Sequence, residues 1–241
     1  SYEPTGRQYL SLVGHPDGLW ANFKEKVGGF TTADGAKFSV MKHSAEHFAD
    51  GALLADLTLN IPGEVIRIFG GTGQERFLTR DEVFSYKPQN GRANWIPEQR
   101  LHFLARSAPG KVALKDARSL GGKQVGDMVG DGNMLYLTLR PGYAYSWYGA
   151  AEVDSAGSPV EEPSDTLNLI DLSADTLNER FAAPVGTYSS QLMGVYKNRL
   201  LVNIPGDGMI AVDVSNPDAP EGQHFLRTLG WATHVAFQGD R

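Results

Sequence analysis

Short apolar or alternating runs recur along the chain, separated by turn residues. The first five are "QYLSLVG" (8–14), "AKFSVMK" (36–42), "ALLADLTLNI" (52–61), "EVIRIFG" (64–70) and "RLHFLAR" (100–106). Then come "KVALKD" (111–116), "NMLYLTLR" (133–140), "TLNLIDLS" (166–173), "NRLLVNIP" (198–205), "GMIAVDVS" (208–215) and "THVAFQG" (233–239). They are rich in Val, Ile, Leu, Phe and Tyr and bounded by Gly, Pro, Asn or Asp. That is how strands read in sequence, and their spacing predicts an all-β sandwich, barrel or propeller. Helical periodicity is scarce. Only Ser44–Phe48, and Thr79–Phe84 with Thr79 capping a turn that holds Asp81 and Glu82, read as short helical pieces.

The second half repeats itself. "LNLIDLSADTL" and "MIAVDVSNPDAP" align on Asp171 and Asp213, 42 positions apart (213 − 171). "VYKNRLLVNI" (195–204) is a strand entered by a Lys-Asn turn, and "MVGDGNMLYLTL" (128–139) is its upstream counterpart, entered at Asp131-Gly132-Asn133. Asp116, in "KVALKDARSLGG", is the weaker candidate for an earlier copy of the aspartate. The longer spacing to Asp171 places an insertion at about 140–165. Units of about 40–45 residues with several strands each are the mark of propeller blades, which cover one another's faces by stacking. In this reading Asp171 and Asp213 accept hydrogen bonds from turn amides. Pro217 and Pro220 stop the strand by fixing φ and removing donors.

"VYKNRLLVNIPGDGMIAVDVSNPDAP" resembles the LVIVD-type repeat of bacterial β-propellers, and "LYLTL…TLNLIDLSADTL" resembles it more loosely. The resemblance is clear over about residues 165–241. It implies propeller blades over 96–241, with 1–95 as first blades or a separate sandwich-like module and a boundary at Pro88-Gln89-Asn90-Gly91. It also implies an exported or surface address, but not a reaction. "LGWATHVAFQGDR" reads as the opening strand of a further unit. Truncation is the preferred expectation there; otherwise "GRQYLSLVG" (6–14) closes a ring by pairing with Thr233–Gln238.

Composition narrows the partners. A formal charge of −6 and a pI near 5.5 argue against nucleic acid or an anionic membrane as the main partner. With no cysteine, disulfides and thiolate metal sites are excluded. No apolar run is long enough for a membrane span.

Three stretches carry candidate chemistry. His43-Ser44-Ala45-Glu46-His47 has the H-x-x-E-H order of inverted zinc peptidases, which needs His43 and His47 one helical turn apart and Glu46 as base. Its strand-like flank and the Asp50-Gly51 stop favour a plain polar turn between strands. "GGTGQERF" (70–77) lacks the Gly-Lys-Ser/Thr of a phosphate loop and reads as a glycine-rich hairpin. In the 140–165 insertion, Tyr143, Tyr145, Trp147 and Tyr148 offer flat apolar surface with polar edges, suited to a carbohydrate or protein ligand. Asp154, Glu161, Glu162 and Asp165 supply the oxygen ligands that calcium takes, although no D-x-D-x-D-G loop is present. An ordinary solvated loop is the plainer reading of both groups. The sequence therefore points to a non-enzymatic binding or scaffolding module without a catalytic set, calcium being the only cofactor suggested. A metal-dependent hydrolase or other enzyme on a propeller face is the rival.

Overall fold

The computed structural model describes residues 6–33, 35, 37–50, 52–53, 58–71, 73–89, 92–141, 165–185, 190–204, 207–227 and 235. These residues form strands and turns, with no helix among them. Four antiparallel sheets follow one another along the chain, each a meander. The first holds β1 (Arg7–His15), β2 (Gly18–Thr31) and β3 (Lys37–Ala49), with β4 (Ala52–Leu53) and β5 (Leu59–Ile61) both pairing with β3. The second is β6 (Glu64–Phe69), β7 (Arg76–Gln89), β8 (Arg92–Ala108) and β9 (Lys111–Ser119). The third is β10 (Lys123–Asp131), β11 (Met134–Pro141), β12 (Thr166–Asp171) and β13 (Asn178–Pro184). The fourth is β14 (Gln191–Tyr196), β15 (Arg199–Ile204), β16 (Gly208–Asp213) and β17 (Glu221–Leu226).

Turn chemistry explains why the strands fold back where they do. Lys197 and Asn198 both take positive φ, 47° and 60°, between the paired Tyr196 and Arg199. Positive φ at both central residues is the requirement of a type I′ hairpin turn, whose twist matches that of its strands. Pro109-Gly110 joins Ala108 to Lys111, with Gly110 at φ 66°. Proline presets the first central position of a type II turn, and glycine tolerates the positive φ of the second. The glycine-rich 70–75 segment is the β6–β7 connection, closed by Gln74 N–H donating to Gly71 O at 3.0 Å.

Each first strand carries a bulge against its second strand. The unpaired residues are Leu10 in β1, Ile66 in β6, Gly126 in β10 and Met193 in β14. A bulge bends a strand and increases its twist. Its recurrence at one place in four meanders marks them as copies of one plan.

The chain divides into two compact units, Ser1–Val83 with Arg100–Ser119 and Phe84–Gln99 with Leu120–Arg241. In the first, the opening two sheets pack through β1, β2 and β3 against β6. Trp20, Ala45, Leu59, Val65, Phe77 and Leu104 form its core, with Phe77 edge-on to Trp20 at 5.1 Å. In the second, β10 and β11 pack against β14. Tyr136, Leu167, Leu169, Leu200, Val202 and Val212 fill the space between. A fully buried leucine or valine contributes on the order of 2 kcal/mol.

Several expectations change. Ser44–Phe48 and Thr79–Phe84 lie in β3 and β7, not in helices; cross-strand burial of Ala45 and Thr79 outweighs their local signal. Pro88 and Gln89 end β7, and β8 begins at Arg92, so the expected boundary at 88–91 coincides with a strand-to-strand connection. The division into units falls elsewhere. Among the described residues of 1–95, β1 to β4 follow one another as a meander, as do the strands of the later sheets. Among the described residues, β1 pairs only with β2. Apart from Val235, "THVAFQG" lies outside them.

Candidate functional site

The repeated aspartates organise the ends of third strands. Asp171 Oδ1 accepts from Ser173 N–H at 2.8 Å, and Asp213 Oδ1 accepts from Ser215 N–H at 2.9 Å. The residue after each aspartate closes the sheet: Leu172 N–H donates to Asn133 O at 2.9 Å and Val214 N–H to Asn198 O at 2.8 Å. In the second sheet, Arg106 N–H makes the same bond to Glu75 O at 2.9 Å. Ala105 therefore holds the aspartate's place there. Asp116 lies instead in the fourth strand, β9, and caps Ala117 N–H at 2.8 Å, so it is not the upstream copy.

An arginine ties two of these turns together. Arg180 is the bulged residue of β13, unpaired between Glu179 and Phe181. Its guanidinium donates to Asp218 Oδ1 at 2.6 Å and Oδ2 at 2.5 Å, and to Asp171 Oδ2 at 3.3 Å. Asp218 sits in the Asn216-Pro217 turn, where its N–H donates to Asn216 Oδ1 at 3.2 Å. The Ser173 amide, helped by Arg180, holds the Asp171 carboxyl below its ordinary value. Arg180 does the same for Asp218. These aspartates hold backbone and are committed to that role.

A pair of half-buried histidines lies in the first unit. His43, in β3, pairs with Ile61 of β5. Pro62-Gly63 then leads into Glu64, which pairs with Arg80 of β7. This link is tight: Thr79 Oγ1 donates to Pro62 O at 2.5 Å, and Gly63, at φ 75°, comes so near Arg80 that a Cβ would lie 2.2 Å from its carbonyl oxygen. Only glycine fits there. The turn thus brings His43 towards Asp81. Burial pushes the His43 imidazole below its ordinary value, Asp81 and Glu64 pull it up, and Lys24 pushes it down. Burial also pushes His102 of β8 down, opposed by Asp81 and aided by Arg100. Two half-buried imidazoles, neutral at neutral pH, thus share the field of one carboxylate. Such a group can hydrogen-bond a polar ligand or accept a proton. Sequence reasoning missed it because His102 and Asp81 have no local motif with His43.

Compared with known proteins, the chain matches no family model, and no curated protein is similar to it.

The zinc trio does not assemble. His43 and His47 are four residues apart on β3, about 13 Å along a strand, and Glu46 falls on its other face. His47 and Glu46 are held by other groups. His47 is stacked on Trp20 at 4.6 Å, with Nε2 3.1 Å from Asp17 O. Glu46 Oε1 accepts from Arg7 at 2.6 Å. Among the described residues, no three His, Asp or Glu side chains group to hold a metal. Of the calcium candidates, Asp165 is fully buried. Its Oδ2 accepts from Ser190 N–H at 2.8 Å and lies 3.6 Å from Arg140 Nε, which places it in an interior network rather than at an open oxygen site. Asp154, Glu161 and Glu162 lie outside the described residues, as do Tyr143, Tyr145, Trp147 and Tyr148.

Proposed function

We propose that this chain is a non-enzymatic binding module of the LVIVD-type β-propeller kind, working outside the cytoplasm, with its four sheets as blades. One observation carries the reading: an antiparallel meander with a bulged first strand occurs four times in chain order, four-stranded in the last three sheets and five-stranded in the first, where β5 also pairs with β3. The matched aspartate turns after β12 and β16 support it, as does the Asn-Pro step after Asp213. Blades are rigid frames, and their connecting segments carry specificity. In the sequence, the aromatic residues cluster in the stretch between β11 and β12, of which 142–164 lie outside the described residues. Its ligand is a carbohydrate or a protein surface.

Glycan and peptide arrays test this reading with the intact chain, Trp147→Ala and His102→Gln. Loss of a bound ligand on Trp147→Ala alone assigns binding to the aromatic segment. Loss on His102→Gln alone assigns it to the Asp81 patch. A folded chain that binds nothing on either array removes the proposal.

A further inference from the structure

The β2–β3 hairpin runs well past the rest of its sheet. β1 pairs with β2 only up to Glu25, and β5 pairs with β3 only from His43 to Ala45. Beyond those points, the described residues of 26–31 and 37–42 are all exposed. Among them are large apolar side chains: Val27 is 56% exposed, Phe30 57%, Val40 43% and Met41 41%. The register sorts the tip into two faces. Gly28 pairs with Val40 and Phe30 with Phe38, while Gly29 pairs with Ser39 and Thr31 with Lys37. Alternation along a strand therefore puts Phe30, Val40 and Lys42 on one face and Thr31, Lys37, Ser39 and Met41 on the other, so each face carries both an apolar side chain and a lysine. A two-stranded ribbon of this kind is only marginally stable in water by itself.

Charge selects what covers it. Residues 24–42 hold Lys24, Lys26, Lys37 and Lys42 against Glu25 and Asp34, in a chain whose formal charge is −6. Lys42 lies 3.4 Å from Glu25. Two copies meeting through this ribbon would bring like charges together, whereas an anionic lipid surface offsets them. Apolar side chains between lysines are also what an interfacial element needs to enter the headgroup boundary without spanning the bilayer. We propose that the β2–β3 ribbon docks the protein peripherally on an anionic membrane, with Phe30 and Val40 entering the lipid and the lysines meeting its headgroups. The chain-wide acidity hides this local basic patch.

The test is co-sedimentation of the full chain with vesicles of phosphatidylcholine alone and with vesicles that also contain phosphatidylserine. Binding is expected to the second and to weaken as salt is added. Lys26→Gln with Lys37→Gln should weaken it by roughly thirtyfold, the loss of two lysines near an anionic surface. Phe30→Ser should reduce it at any salt, with an unchanged melting temperature to show that the fold is intact. Equal binding to both vesicles, no binding, or full binding by the lysine variant overturns the proposal. So does a concentration-dependent dimer that Phe30→Ser abolishes, since the face then belongs to a second copy.

Discussion

Arg106 and Glu75 show how much one side chain can carry. Arg106 Nη1 lies 2.9 and 3.0 Å from the two oxygens of Glu75, whose side chain is almost wholly buried. Burial by itself would raise the Glu75 carboxyl; the bonds from Arg106 and from the Glu75 and Gly73 amides win and hold it low. Arg106→Met removes the partner and leaves a buried charge, which should cost about 3 kcal/mol in chemical denaturation. Because the folded Glu75 carboxyl is lowered, its contribution is present above the unfolded value of 4.5 and is lost as pH falls through the folded value. The histidines run in the same direction for a different reason. Burial lowers His43 and His102 from 6.5, so the unfolded chain takes up protons first, and stability falls on acidification below about pH 6.5. His102→Gln should flatten that part of a melting-temperature profile. An unchanged slope would show that the imidazole is not desolvated as described.

Among the elements, the third strands and their turns are the parts most legible in the sequence. Asp171 and Asp213 were readable as turn acceptors because an aspartate two residues before a serine needs only local geometry to reach its amide. Asp171→Ala and Asp213→Ala should each lose about 1 kcal/mol, and similar losses would support equivalent roles. Strongly unequal values would break the equivalence, unless Arg180→Met removes the difference by releasing its added hold on Asp171. The strands that sequence missed are instructive. β2 contains "NFKEKVGG" and β10 contains "KQVGDMVG", charged or glycine-rich runs with little periodic signal. Pairing across the sheet makes them strands: Trp20 faces His47 in register, and Met128 faces Leu137. The H-x-x-E-H motif failed as chemistry for the same reason, since the strand period replaces the helical one and separates its histidines.

Within each unit, stability rests on sheets covering one another. Within the second unit, Tyr136, Leu167 and Leu169 of the third sheet are buried together with Leu192, Leu200 and Val202 of the fourth. A chain ended after Val185 should therefore bind 8-anilinonaphthalene-1-sulfonate and lose its sharp thermal transition. A cooperative, dye-silent melt would mean that the third sheet is self-sufficient without the fourth. What the sequence determined by itself was local: β class, turn positions and the aspartate caps, each set by neighbours a few positions away. Only the tertiary structure decided that β9 is a fourth strand and so removed Asp116 from the repeat, that Arg180 is bulged towards two acids, and that His43 and His102 share Asp81. Those facts depend on cross-strand register and on burial between sheets, and register is fixed by packing over long separations that no single window of sequence contains.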